Sequence, residues 1–158
     1  MLIKQAIRAI ETEIKQVKPF RNDYHKATVN LLFTGKWIIN HHNSLLHGCG
    51  LTLQQYNILR ILRGQYPKAT TVKLIRDRML DKMSDASRIV ELLRTKGLID
   101  RGLNSGDRRK VDVRITQKGL DLLDEVELEG NDIMDSFLSN LNHDEINELN
   151  FLLDKLRY

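Results

Sequence analysis

Apolar residues recur at helical spacing along most of this chain and alternate in only one place. Ile3, Ala6, Ile7, Ile10, Ile14 and Val17 predict a helix over 2–17. Pro19 ends it, because proline lacks an N–H and disfavours helix at the residue before it. A longer helix is predicted from Asn22 or Asp23 to His47, carrying Ala27, Leu31, Trp37, Ile38 and Leu45 and broken by Gly48-Cys49-Gly50. Thr52-Leu53-Gln54-Gln55 has the form of a capping box, with Leu51 and Tyr56 placed for a hydrophobic staple. The helix it opens turns Tyr56, Leu59 and Leu62 inward and stops near Gly64, with Pro67 in the following loop. Thr70 or Thr71 caps a short helix with Val72, Ile75 and Met79 on one face. After a turn over 80–83, Ser84 is the expected N-cap of a helix whose inner stripe is Ala86, Ile89, Val90 and Leu93. Gly97 supplies a left-handed stop before Leu98.

The alternating stretch is Ile99, Arg101, Leu103 and then Val111, Val113, Ile115. Asn104-Ser105-Gly106-Asp107 between the two runs is turn chemistry, so they predict a β-hairpin, the only β structure expected. Thr116 caps a long helix to about Leu141, and Asn142 with Glu145 forms a second capping box. That box opens a final helix with Ile146, Leu149, Leu152, Leu153 and Leu156. The fold class is therefore mainly α with a small β-hairpin wing.

Composition bounds the function. The 158 residues are 41% hydrophobic and 29% charged, an ordinary balance for a globular protein. No apolar run approaches the roughly 20 residues that span a bilayer, and Met1–Arg8 is amphipathic rather than a secretion signal. The single cysteine, Cys49, excludes an intramolecular disulfide and fits a reducing, cytoplasmic setting. The net charge of +4 conceals an uneven distribution: residues 60–118 carry +9, residues 119–158 carry −9 and residues 1–59 carry +4. A basic middle beside an acidic tail suits a polyanionic partner for the middle alone, and leaves the tail for self-association.

The candidate chemistry lies in that middle. Asp107-Arg108-Arg109-Lys110 puts three consecutive cations at the hairpin tip, just downstream of the helix carrying Ser84, Asp85, Ser87 and Arg88. Taken alone, the tetrapeptide reads equally well as a solvated turn. With the helix before it, the pair has the form of a winged helix on DNA, the helix in the major groove and the hairpin on the backbone or in the minor groove. The Arg88 guanidinium suits either a guanine edge or a phosphate. Ser84 and Ser87 can donate to phosphates, with helix capping the competing role for Ser84. Asp85 can accept from a cytosine amine or orient Arg88. No glycine-rich phosphate loop, catalytic carboxylate pair or Cys/His nucleophile motif is present, so no enzyme and no cofactor is expected.

The segment 51–120 resembles the MarR family of transcription regulators. Leu51-Thr52-Leu53-Gln54-Gln55-Tyr56-Asn57-Ile58-Leu59 is similar to the family's entry to its third helix. Ser87-Arg88-Ile89-Val90, Leu93 and Lys96-Gly97-Leu98-Ile99 resemble its recognition helix and exit. Asp107-Arg108-Arg109 resembles its wing signature, and Ile115-Thr116-Gln117-Lys118-Gly119 the step after it. The resemblance implies N-terminal dimerisation and scaffold helices over 1–50, a winged helix-turn-helix over 51–118, and C-terminal dimerisation helices over 119–158. It implies a homodimer on double-stranded operator DNA, a repressor released by a small-molecule effector, a metal or oxidation. Arg109 would enter the minor groove, held by Asp107, with Arg108 and Lys110 on phosphates. The chain departs from the family's pattern at Arg76, where alanine is frequent, at Leu80, where glycine is, and at Asp85, where threonine is.

Other readings concern sensing. Tyr24, Phe33 and Trp37 either line an effector cleft for an aromatic molecule or pack in the core. Cys49 has only His47 as a nearby cation to activate it, so an inert thiol competes with a redox sensor. His25, His41, His42 and His47 suffice by count for a metal, but no pair has ligand spacing, and no metal site is assigned. A helical adaptor that binds protein and not DNA is the alternative from a different class, and the +9 segment argues against it.

Overall fold

The structure is a computed structural model; it describes residues 8–103, 106, 111–130 and 138–158, with the side chains of 128–130 left aside. Its elements run α1 (Ile10–Glu13), α2 (Asp23–Gly48), α3 (Leu53–Arg63), β1 (Thr70–Thr71), α4 (Val72–Arg78), α5 (Ala86–Thr95), β2 (Ile99–Leu103), β3 (Val111–Ile115), α6 (Gln117–Gly130) and α7 (His143–Leu156). The chain divides into two compact units, residues 1–40 and 41–158.

In the first unit, the expected helix over 2–17 is reduced, among the described residues, to the single turn of α1. Lys15 takes φ 53°, a left-handed conformation that stops a helix, so the break precedes Pro19 by several residues. Ile10 is buried, and Lys26 on α2 pairs with Glu11 at 2.7 Å. Asn22 accepts the backbone N–H of His25 and so opens α2 where the sequence placed its start.

The second unit holds the core. Tyr56, Leu59 and Leu62 of α3, Ile75 of α4, Ile89, Val90 and Leu93 of α5, Val113 of β3 and Leu123 of α6 are all buried in one cluster. Both halves of the capping box close at the start of α3: Gln55 N–H donates to the Thr52 hydroxyl and Thr52 N–H to the Gln55 side chain. The staple residues Leu51 and Tyr56 are both buried.

The sheet has the order β1-β3-β2, with Ile99 opposite Ile115 and Leu103 opposite Val111. The hairpin was expected; β1 was not. Thr70 and Thr71 pair antiparallel with Val113 and Asp112, giving the hairpin a third strand. Two residues are too few to show alternation, so only the partner strand reveals them. Thr71 then caps α4, accepting the N–H of Leu74.

Thr116 is a hinge point between hairpin and helix. Its hydroxyl accepts the N–H of Gly119 to start α6 and donates to the carbonyl of Gly97 at 2.8 Å. Gly119 is required there: a Cβ on it would lie 2.3 Å from the Leu98 carbonyl oxygen. α6 is followed through Gly130. Residues 131–137, where the expected helix to about Leu141 would run, lie outside the described residues, and the chain turns at 139–141 before α7. α7 opens on the expected Asn142–Glu145 box, yet none of its side chains is buried. Among the described residues, no helix is long and apolar enough to cross a membrane.

Candidate nucleic-acid interface

The helix-turn-helix is α4, the turn over 79–85, and α5. α5 is amphipathic to its full length: Ala86, Ile89, Val90 and Leu93 are buried, while Ser87, Arg88 and Arg94 face out. Its end is a double-bonded glycine stop. Gly97 N–H reaches the Arg94 carbonyl and Leu98 N–H the Leu93 carbonyl, with Gly97 at φ 72°. Lys118 donates to the Lys96 carbonyl at 2.9 Å, placing a cation at the negative end of the helix.

The start of α5 differs from the sequence expectation. Asp85, not Ser84, is the N-cap, its carboxylate accepting the Arg88 N–H at 3.0 Å. Ser84 lies one residue too early and instead donates to Asp81 at 2.6 Å. Asp81 also accepts the N–H of Met83, and these bonds, the Ser84 hydroxyl foremost, hold its carboxyl below the usual range. Asp85 therefore steadies Arg88 through its backbone. Ser84 has its proton committed within the chain, while Ser87 is exposed with its hydroxyl available.

Leu80 fills the turn where the resemblance expects glycine, and no glycine is needed. Lys15 is the one non-glycine residue of positive φ among the described residues. Asn57 of α3 anchors the turn, its side-chain oxygen taking the Leu80 N–H at 3.0 Å.

The structure also sorts the cations of the basic segment. Arg63 donates to both oxygens of Glu127, Arg60 donates to the same carboxylate at 3.0 Å and to the Tyr56 hydroxyl, and Asp124 lies 3.5 Å from Arg63. The Glu127 bond raises the Arg63 pKa above its usual value. This cluster ties α3 to α6 and is spent on the fold. Glu91 of α5 pairs with Arg94 and, at 3.4 Å, with Arg101 of β2, and those bonds lower its pKa. Lys96 bonds the Gly50 carbonyl at 2.6 Å. By contrast, the side chains of Lys73, Arg76, Arg78 and Arg88 bond to no described residue. They are exposed cations on the helix-turn-helix.

Lys73 and Arg76 open onto a cleft of about 340 Å³ between α4 and the start of α5, with Ser84, Asp85 and Ser87 on its other wall. Sequence reading did not single out these two residues for binding; their i, i+3 spacing on a short capped helix was the available signal. Asp107, Arg108, Arg109 and Lys110 lie outside the described residues.

The aromatic candidates are separated by the geometry of α2. Phe33 and Trp37, four residues apart, share a face and are 37% and 48% exposed, so neither is core. Tyr24, nine residues before Phe33, falls on the opposite side and is 86% exposed. His42 is buried while His41 and His47 are exposed, and Cys49 packs half-buried against the core. Among the described residues, no three His, Cys, Asp or Glu side chains gather as a metal site.

Comparison with known proteins agrees with this geometry. Residues 50–110 match the model of the MarR family. No curated protein sequence matches the chain. Among solved structures, a point mutant of MarR from E. coli complexed with operator DNA superimposes with a TM-score of 0.73 at 22% identity. It covers 88% of this chain and 99% of that one. CouR from Rhodococcus jostii RHA1, bound to p-coumaroyl-CoA, gives 0.69 at 18% identity, covering 88% and 96%. An organohalide-sensing regulator with 2,4-dichlorophenol gives 0.74 at 19%, covering 99% and 88%. The match to the MarR-family model is confined to residues 50–110, and the chain shares the winged-helix fold of these solved structures.

Proposed function

We propose that the protein is a homodimeric transcription regulator that binds double-stranded operator DNA, acting as a repressor released by a small-molecule effector. The observation that carries the reading is Arg88. It is an exposed guanidinium bonded to no described residue, on the outer face of a helix whose inner face is fully buried and whose first turn is clamped by Asp85. A side chain so positioned meets a base edge without the helix having to move, which is what discrimination between bases needs. Ser87 beside it and the wing residues Asp107, Arg108, Arg109 and Lys110 complete the DNA-facing set. Arg109 is the minor-groove residue and Asp107 its support. The exposed apolar face of α7 is the surface for the second copy.

An effector of aromatic character is the reading favoured by Phe33 and Trp37, the exposed pair on one face of α2. It is supported by the phenolic and coumaroyl ligands of the two neighbours named above. The test is selection of duplexes from a random pool by the purified protein, followed by a thermal-shift screen of aromatic acids and phenols. A palindrome with half-sites about one DNA turn, roughly 34 Å, apart is expected, and so is a ligand that both raises Tm and releases the duplex. Failure to enrich any sequence removes the operator reading; enrichment of a single, unrepeated half-site removes the dimeric one.

A further inference from the structure

We propose that the cleft between α4 and α5 is a seat for one DNA backbone phosphate, gripped by Lys73 and Arg76 with Ser87 as a hydroxyl donor. This inference rests on the DNA-binding reading and assigns work to residues outside the base-reading set. The cleft measures about 340 Å³, room for a phosphodiester with part of its sugar. Its α4 wall carries two cations spaced i, i+3 on one helical face, neither bonded to a described residue. Asp85 lines the same cleft, yet neither cation pairs with it; its carboxylate takes the Arg88 N–H at the positive end of α5. The two cations are thus left for an external anion.

The position of the cleft selects the anion. With α5 in the major groove, the first helix of a helix-turn-helix crosses the flanking backbone, and Lys73 and Arg76 are the outward cations near the start and middle of that helix. Arg76 offers a planar fork for two phosphate oxygens and Lys73 a point charge, a division suited to one anion held from two directions. Such a contact carries no sequence information. It fixes register, so that Arg88 on the adjoining helix meets the same base pair in each complex.

Because the seat ignores sequence, a labelled random-sequence duplex is a sufficient probe. Fluorescence anisotropy across a salt series compares the wild type with Lys73→Gln/Arg76→Gln and with a control, Lys18→Gln/Lys68→Gln. The control removes the same charge from exposed cations that do not line the cleft. The cleft variant is expected to bind roughly tenfold more weakly and to lower the salt slope by about one unit, with the control well below half of that. Arg76→Lys with Lys73 intact should keep most of the slope. Equal losses in the two double variants would show net charge acting at a distance and overturn the seat, as would an unchanged slope in the cleft variant while the wild type binds. If the wild type itself binds no duplex at low salt, the DNA reading falls and the seat with it. Unaltered circular dichroism of the variants confirms that surface charge alone was changed.

Discussion

Helices α5 and α7 are written on one plan and end in opposite surroundings. Each opens on an acidic or amide cap, Asp85 for α5 and Asn142 with Glu145 for α7, and each carries an apolar stripe at three- and four-residue spacing. In α5 the stripe is wholly buried against α3, α4 and the hairpin, and Val90 and Leu93 reach zero exposure. In α7 no side chain is buried, and Phe151, Leu152 and Leu156 are 60%, 49% and 65% exposed. Caps and periodicity therefore make a helix in both places; they do not decide whether its face is covered. A helix of 14 residues is marginal in water without tertiary packing, and each leucine left exposed forgoes about 1.5–3 kcal/mol of burial. α5 has its stabilisation from within the chain, whereas the proposed second copy would supply it for α7.

The strongest way to break this contrast is to charge the stripe of α7. Leu149→Asp combined with Leu152→Asp is expected to abolish association at micromolar concentration. Light scattering should read close to the 18.4 kDa chain mass, where the wild type reads about twice that. The winged helix should stay folded, with its circular dichroism largely kept. Retention of the dimer would show that the exposed stripe is not the interface.

Truncation inside α5 should do the reverse. Leu93→Ala leaves a cavity in the cluster, costing about 2–5 kcal/mol and lowering Tm by roughly 10 °C. The oligomer should persist below the transition. A shift of only a degree or two would mean that α5 is not anchored as its burial indicates.

Gly119→Ala probes the junction that sets α6 against the hairpin. The added methyl meets the Leu98 carbonyl, and separating the two should cost about 1–3 kcal/mol, read as a lower denaturant midpoint at unchanged m. Helix propensity alone predicts the opposite sign, because alanine favours a helix by nearly 1 kcal/mol over glycine. The sign of the change decides between close approach and propensity.

The smallest effect belongs to Glu91, whose bonds to Arg94 and Arg101 tie the face of α5 to β2. Because those bonds lower its pKa, the tie is present above the usual glutamate range and is lost as pH falls through the lowered value. Glu91→Gln should speed amide exchange in β2 at neutral pH, and the two proteins should converge in acid. Identical exchange at neutral pH would leave the tie without a structural effect.

The DNA-facing face illustrates what could be read without coordinates. Ser87 and Arg88 follow from periodicity alone, since they fall between the buried positions Ala86 and Ile89 on the outer side of α5. The N-cap was misplaced by one residue because Ser84 and Asp85 have equal capping chemistry. What separates them is Asp81, which claims the serine hydroxyl and leaves the aspartate to the helix. Lys73 and Arg76 look in sequence like any solvated pair; only the cleft they share with Ser87 distinguishes them.

By itself the sequence determined the capping boxes that open α3 and α7, the glycine stop after α5, the two strands of the hairpin and the inner stripe of α5; it misplaced the N-cap of α5 and the extent of the first helix. Each feature it determined depends on residues within one or two turns of each other, where side-chain period and backbone hydrogen bonding act directly. Tertiary structure alone decided the third strand β1 and the covering of α5 but not of α7. It also decided which cations of the basic segment are spent. Arg60 and Arg63 look as available as Arg88 until Glu127, 64 residues beyond Arg63, folds against them. Charge counted along a chain ignores which opposite charges the fold brings within bonding distance, and that proximity determines which cations remain for a partner.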